Sequence, residues 1–304
     1  MRRFKFVFIL ALIGVALCEG QIFGEVQLPD KATLSANRMR FDSQTGDFLA
    51  DGNVTITAGG LNVVAPRGTG NVERREVLFE EGLVASGDWM GDRVDLKAGK
   101  LSLSFAESPT CRFQDGVRGG VGAMRLDADR LTLIGLGGIT GDRQSQTKFW
   151  LVKARKVEDR SQGLSFGADA MEGILRDGEL YTLTADKGVW LQGKPKAAGG
   201  EAVSLHGNHA LYSMERGSVV LSGNVSATQG GRTLKSESIV YFPSQNRVEA
   251  MGGAPTPGSK ETPTPRAEIT IDLSREKNNK DKVPSPDEAK KTEPGKKSGK
   301  KAGK

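Results

Sequence analysis

Few residues in this 304-residue chain are of types that do chemistry, and their spacing gives them little chemistry to do. The two histidines, His206 and His209, are three positions apart. In an alternating strand that spacing sends them to opposite faces, so they cannot chelate one metal together. No HExxH or CxxC pattern supplies further ligands. Cys111, in Pro109-Thr110-Cys111-Arg112-Phe113, has only Cys18 to pair with, and loses it if a leader is removed at or after that residue. It reads as a small buried residue rather than a reactive thiol. The glycine clusters Gly119-Gly120-Val121-Gly122 and Gly135-Leu136-Gly137-Gly138 lack the spacing and the following helix of a dinucleotide or phosphate loop, and read as hairpins or bulges. Among the acidic pairs, Glu80 and Glu81 diverge across a strand. Asp127 and Asp129 share a face opposite Leu126 and Ala128, as a solvated face does. No catalytic residue, metal ligand set or cofactor loop is assigned, and the chain reads as a non-enzyme.

What would position such residues is a β-scaffold, and the chain states its plan twice. The segment Asn37 to Gly60 returns 171 residues later at Asn208 to Gly231, with Asn37, Gly46, Gly52, Asn53, Val54, Thr57, Gly59 and Gly60 matched by identical residues. Turn chemistry and a period-2 apolar pattern are preserved, which marks a repeated supersecondary unit. In Phe48 to Thr57 the even positions are apolar or small while Asp51, Asn53, Thr55 and Thr57 are polar, so the strand has one greasy and one wet face. Gly59-Gly60 supplies the positive φ of a two-residue hairpin turn, and Leu61 to Ala65 folds straight back. Ser43-Gln44-Thr45-Gly46 makes the preceding turn.

The same rhythm continues in Val77-Leu78-Phe79, Leu101 to Phe105, Leu131 to Ile134, Leu180 to Thr184 and Ile239 to Phe242, all read as strands. Lys148 to Asp159 fits a short helix and a strand about equally. Pro195 is the only proline between Pro109 and Pro243, so the middle of the chain can donate ladder hydrogen bonds throughout. The fold class is all-β, a repetitive antiparallel sheet of short strands stacked around one continuous interior. It divides into two modules, 25–145 and 146–275, each opening on one copy of the repeat.

The ends are different materials. Residues 1–20 carry Arg2, Arg3 and Lys5, then the apolar run Phe6 to Leu17, then Cys18-Glu19-Gly20, the three-part plan of a secretory signal peptide. The apolar run spans roughly 18 Å as a helix, short of a bilayer core of about 30 Å. Export across a membrane follows. Lipid anchoring at Cys18 is the alternative, disfavoured by the bulk of Leu17. Residues 276–304 have one valine and two alanines as their only apolar residues and read as a disordered tail. That tail has a net charge of +5 and the leader +2, which leaves the body between them at −1 within an overall +6. The basicity therefore belongs to the tail, which reads either as a solubilising terminus or as an arm for an anionic envelope surface. The near-neutral body argues against nucleic acid.

The run Gly223-Asn224-Val225-Ser226-Ala227-Thr228-Gln229-Gly230-Gly231-Arg232-Thr233-Leu234-Lys235-Ser236, followed by Ile239-Val240-Tyr241, closely resembles the repeat of the OstA-like (LptA-like) family of periplasmic lipopolysaccharide transport proteins. Ala36 to Ala65 resembles the same repeat, and Asn246 to Gly253 with Arg266 to Leu273 resembles the family's closing strands. The resemblance implies a folded-over β-jellyroll and a carrier that shields lipopolysaccharide, or a related glycolipid, in an apolar groove. It also implies head-to-tail edge-strand pairing with other proteins of the same fold. On this reading Phe48, Ala50, Val54 and Ile56, and by the 171-residue offset Val219, Leu221, Val225 and Ala227, line the lipid path; filling a closed core is the competing role for the same residues. The alternative function is an exported structural or polysaccharide-binding β-protein of the envelope. That reading calls for exposed aromatic platforms, and aromatics are 6% of the chain, with Trp89, Trp150 and Trp190 scattered.

Overall fold

The computed structural model describes residues 32–105, 108–136, 146–194, 201–251 and 268–271; the leader at 1–20 and the tail at 276–304 lie outside them. The described residues form strands joined by turns, in one antiparallel sheet. β1 (Ala32–Ser35) and β2 (Arg38–Phe41) both pair with β3 (Asp47–Ala58), and β3 pairs with β4 (Leu61–Asn71). Two shorter rows follow side by side. β5 (Glu76–Glu80) continues one half of β4, and β6 (Leu83–Trp89) the other. β7 (Asp92–Ala98) and β8 (Lys100–Ser104) carry these rows on to β9 (Thr110–Val121).

From there each long strand pairs with the next, through β10 (Met124–Leu136), β11 (Gln146–Asp159), β12 (Leu164–Arg176), β13 (Glu179–Gly193), β14 (Val203–Ser213), β15 (Ser218–Gln229) and β16 (Arg232–Phe242). β16 ends the sheet against β17 (Arg247–Met251) on one half and β18 (Glu268–Ile271) on the other. The stretch that fitted helix and strand alike is β11, with Phe149 and Leu151 turned inward. β10 and β11 pair along their length.

The sheet is folded because its strands are broken at matching places. The ladder skips between Asp51 and Val54, between Asp186 and Val189, between His206 and His209, and between Ser222 and Val225. Along this line successive residues take positive φ: Gly52-Asn53 (76° and 50°), Glu81-Gly82 (68° and 87°), Asp115-Gly116 (64° and 83°), Lys187-Gly188 (63° and 61°) and Gly223-Asn224 (76° and 54°). Two left-handed residues in a row bend a strand sharply and leave a bulge in place of ladder bonds. Repeated strand after strand, the bend becomes a crease. Pro66 of β4 sits on it, where a missing N–H costs the ladder nothing.

The crease turns the two half-sheets face to face. Their inner rows form one apolar cluster from Phe48 to Tyr241. Contacts cross the interior: Gly68 on one half lies against Val54 on the other, and Gly193 leaves the space that the Tyr241 ring fills. Within each half, large rings are seated over glycines on the neighbouring strand, as Phe48 over Gly70, Phe79 over Gly68 and Phe149 over Gly173.

This geometry explains the repeat. Asn37 and Asn208 lie on crease residues Gly52 and Gly223, each within 3.0 Å of where a Cβ would sit. Gly59-Gly60 and Gly230-Gly231 make the hairpin turns with positive φ at both positions. Thr57 Oγ1 donates to Asn62 Oδ1 at 3.2 Å across one hairpin, and Thr228 faces Thr233 across the other. Val54 and Val225 are the first core residues beyond the bend.

Alanine at Gly82, whose only obstacle is a φ of +87°, is expected to cost about 1–2 kcal/mol in urea unfolding. Alanine at Gly173, where the new Cβ would lie 2.6 Å from the Phe149 ring and run into the Thr182 carbonyl, is expected to cost about 3 kcal/mol or more. Equal costs at the two sites would show that the seating of rings over glycine does not hold the halves in shape.

Candidate functional site: the apolar interior and its rim

The interior is lined almost wholly by aliphatic and aromatic side chains. All eight residues picked out for a lipid path face it, from Ala50, Val54 and Leu221 at 0% exposed to Phe48 at 9%, with Ile56, Val219, Val225 and Ala227 between. They fall into two groups near opposite ends of the sheet, four on β3 and four on β15. Between them lies a band that sequence reasoning did not single out, in which Phe79, Leu101, Leu103, Phe113, Leu131, Leu133 and Phe149 are all fully buried. Small residues occur along the whole lining, and in β12–β15 they include Ala168, Ala185 and Ala210. There the halves leave a cavity of about 20 Å³ bounded by Leu164, Phe166, Leu183, Ala185, Val189, Leu191, Ala210, Tyr212 and Val219.

The rim opposite the crease is tied across its width near the middle of the sheet. The Ala123 N–H, in the β9–β10 turn, donates to the Gly178 carbonyl of the β12–β13 turn at 2.8 Å. Beside it Gly122 packs on Gly178, and the Met90 side chain of the β6–β7 turn lies over Gly135 of β10. Asp92 is fully buried in this clasp. Its pKa is raised from 3.8 to about 6, first by burial and further by Asp88 and Asp177, while the Thr147 hydroxyl and the Gly178 backbone offset part of the cost. Neither reaches hydrogen-bond geometry, so both Asp92 carboxylate oxygens and Thr147 Oγ1 stay buried without a partner. No pattern in the sequence distinguishes Asp92 from other strand-end aspartates.

Other chemistry-bearing residues are held in structural roles. Cys111 is 1% exposed and burial pushes its thiol pKa well up, away from the thiolate. Asp127 and Asp129 do share the outer face, where Arg155 bridges them and Arg118 and Lys153 add further ion pairs. The histidines correct the expectation of opposite faces. The crease bulge between His206 and His209 shifts the alternation, so both lie on the outer face while Leu205 and Ala210 point inward. His209 Nδ1 is 2.6 Å from Asp186 Oδ1. Among the described residues no three His, Cys, Asp or Glu side chains gather as a metal site.

Residues 204–291, which begin in β14 and include β15–β18, match the family described as LptA/(LptD N-terminal domain) LPS transport protein. The match lies wholly in the C-terminal part of the chain. Among solved structures the chain is similar to LptH of Pseudomonas aeruginosa, titled the LptA homologous periplasmic component of the conserved lipopolysaccharide transport device. The alignment has 14% identity and covers 82% of this chain and 99% of that one, with a TM-score of 0.26. No curated protein sequence matches the chain. The LptA-like part thus includes one of the two groups of inward residues, on β15, while the clasp lies outside it.

Asp92 sets a pH dependence whose sign is fixed by its raised pKa. Between 3.8 and about 6 the folded protein holds a proton that the unfolded chain has released. Stability from this group is therefore present below that window and lost as pH rises through it, by about 3 kcal/mol in all. Asp92→Asn is expected to flatten this slope and, at pH 7.5, to be more stable than the parent by about 1–3 kcal/mol in urea unfolding. An unchanged slope between pH 4 and 6.5 would rule out Asp92 as its source.

Proposed function

We propose that this protein is a non-enzymatic periplasmic carrier that shields the acyl chains of lipopolysaccharide, or a related glycolipid, during transport to the outer membrane. The observation that carries the reading is a folded sheet whose two inner faces are apolar along its length, in a chain whose C-terminal part is LptA-like. Each CH₂ left in water costs roughly 0.8 kcal/mol, so one 14-carbon chain represents on the order of 10 kcal/mol. A carrier meets that cost with apolar surface and needs no reacting group. In this reading the eight inward residues on β3 and β15 belong to the lipid path.

The ends of the sheet supply the means of joining a pathway. β1 and β2 at one end, and β17 and β18 at the other, are four or five residues long. Among the described residues each end has one edge without a strand partner, open to a neighbour of the same fold. The lysine-rich tail holds the assembly near an anionic envelope surface.

The test places a photo-crosslinking residue at Ile56 and, separately, at Val225 in the full-length exported protein in cells that make lipopolysaccharide. The expected result is a lipopolysaccharide adduct from at least one position. No adduct at either, in protein that folds and reaches the periplasm, would move these residues into a closed core and sink the carrier reading.

A further inference from the structure

The turns that meet in the clasp touch through glycine and backbone. The β6–β7 and β9–β10 turns belong to one half-sheet and the β12–β13 turn to the other. A Cβ on Gly122 would lie 2.2 Å from the Gly178 carbonyl oxygen, so no side chain fits between these two tips. Among the described residues one backbone hydrogen bond joins them, from the Ala123 N–H to the Gly178 carbonyl at 2.8 Å, and the flexible Met90 side chain reaches over to Gly135. Each turn is otherwise held inside its own half. Trp89 pairs with Asp92, Val121 with Met124 and Arg176 with Glu179, and the Gly122 N–H donates to the Arg93 carbonyl at 2.8 Å. The clasp can therefore part without breaking the ladder of either half.

Asp92 lies inside this contact at 0% exposure, with both carboxylate oxygens unpartnered. The charges that act on it are of its own sign. β6 brings Asp88, whose Oδ1 accepts from the Gly91 N–H at 2.9 Å, and the β12–β13 turn brings Asp177. β11 contributes the neutral Thr147, whose hydroxyl is also buried without a partner, and the residue across the hairpin is the neutral Trp89. Of the cations on neighbouring elements, Arg93 is exposed, Arg125 lies over Gly120, and Arg176 stacks on the Tyr181 ring at 3.6 Å. Once ionised, a carboxylate so placed favours whatever arrangement admits water to it. The rim is tied across a second time towards the end of the sheet, where Asn246 Nδ2 donates to the Glu201 carbonyl at 3.0 Å and the Tyr241 ring fills the space left by Gly193. An amide, a backbone carbonyl and a phenol whose pKa burial raises carry no charge that changes near neutrality.

We propose that the clasp is a proton-controlled gate: with Asp92 protonated the two rims are held together at mid-sheet, and its ionisation parts them there while the Asn246 tie and the apolar cluster keep the halves joined. The device belongs to this chain's own residues and does not need the carrier reading. Where that reading holds, the parted clasp is a lateral entrance to the interior that widens as pH rises. Closed, the group titrates at about 6; parted and wet, it returns towards its ordinary 3.8. The closed form thus holds a proton that the open form releases, and between pH 5 and 7.5 the opening equilibrium shifts about ten-fold towards the open form.

The test is amide hydrogen exchange on the full-length protein without lipid, with each rate corrected for the intrinsic pH dependence of exchange. Protection of the Ala123 amide, whose bond crosses the clasp, is expected to fall about ten-fold from pH 5 to 7.5. Protection of the Gly122 amide, whose bond stays within one half, is expected to hold within about two-fold. Unchanged protection at Ala123 overturns the proposal. So does protection at Ala123 that equals that of the Phe113 amide in β9 and falls in step with it, since the whole fold would then be opening. In Asp92→Asn the Ala123 amide is expected to keep its protection across the range, and a ten-fold fall that persists in the folded variant overturns Asp92 as the trigger. Should that variant fail to fold, the parent's own titration still decides between gate and global opening. With no lipid present, failure here leaves the carrier reading where it stands.

Discussion

Two consecutive residues in the left-handed region, placed at matching positions along several strands, are the constraint on which the rest of this structure depends. Without them the long strands would run straight and present one face of the sheet to water. With them each bent strand contributes to both walls of the interior, and a single sheet does what a two-sheet sandwich does with separate sheets. The crease also decides which residues can occupy it. Only glycine and, at lower frequency, asparagine, aspartate and a few charged residues tolerate that backbone, so the outer ridge is polar and the apolar positions fall on either side.

The interior is correspondingly poor in polar groups, and apart from Ser236 beside the crease the buried ones lie near the rim. Asp92 and Asp159 are buried at the ends of strands, one inside a turn-to-turn clasp and the other closing its own hairpin. A carboxylate in such a place costs stability at neutral pH unless it is well bonded. Asp92 is not, which makes the clasp the least comfortable contact between the halves when the group is charged. Asp159 shares its burden with Ser161 and keeps only one oxygen unmet.

Much of the scaffold could be read from the residues. The doubled segment, the Gly59-Gly60 turn and the alternation in Phe48 to Thr57 yield strands, hairpins and an inward face that the structure reproduces. The crease could not, because at Glu81-Gly82 and Lys187-Gly188 the left-handed pair contains a residue with no preference for that backbone. The alternation rule therefore failed where a bulge interrupts it, at His206 and His209. The clasp was illegible for a different reason. It joins turns distant in sequence, and the groups around Asp92 lie in β11 and the β12–β13 turn, with no local signal in common. The packing of the interior likewise needs the cross-strand seating of rings over glycines, which no single strand reveals.

Because each strand pairs with those close to it in the chain, the fold has a further property in time. Hairpins such as β15–β16 form from adjacent sequence, and few pairings wait for a distant segment. A chain delivered N-terminus first can add one bent strand after another to a growing edge, as repeat proteins do. At every stage, however, the newest strand offers an unpaired edge and an uncovered apolar face. Until β17 and β18 arrive, the nascent protein is as open to pairing with foreign strands as the finished ends are to their partners.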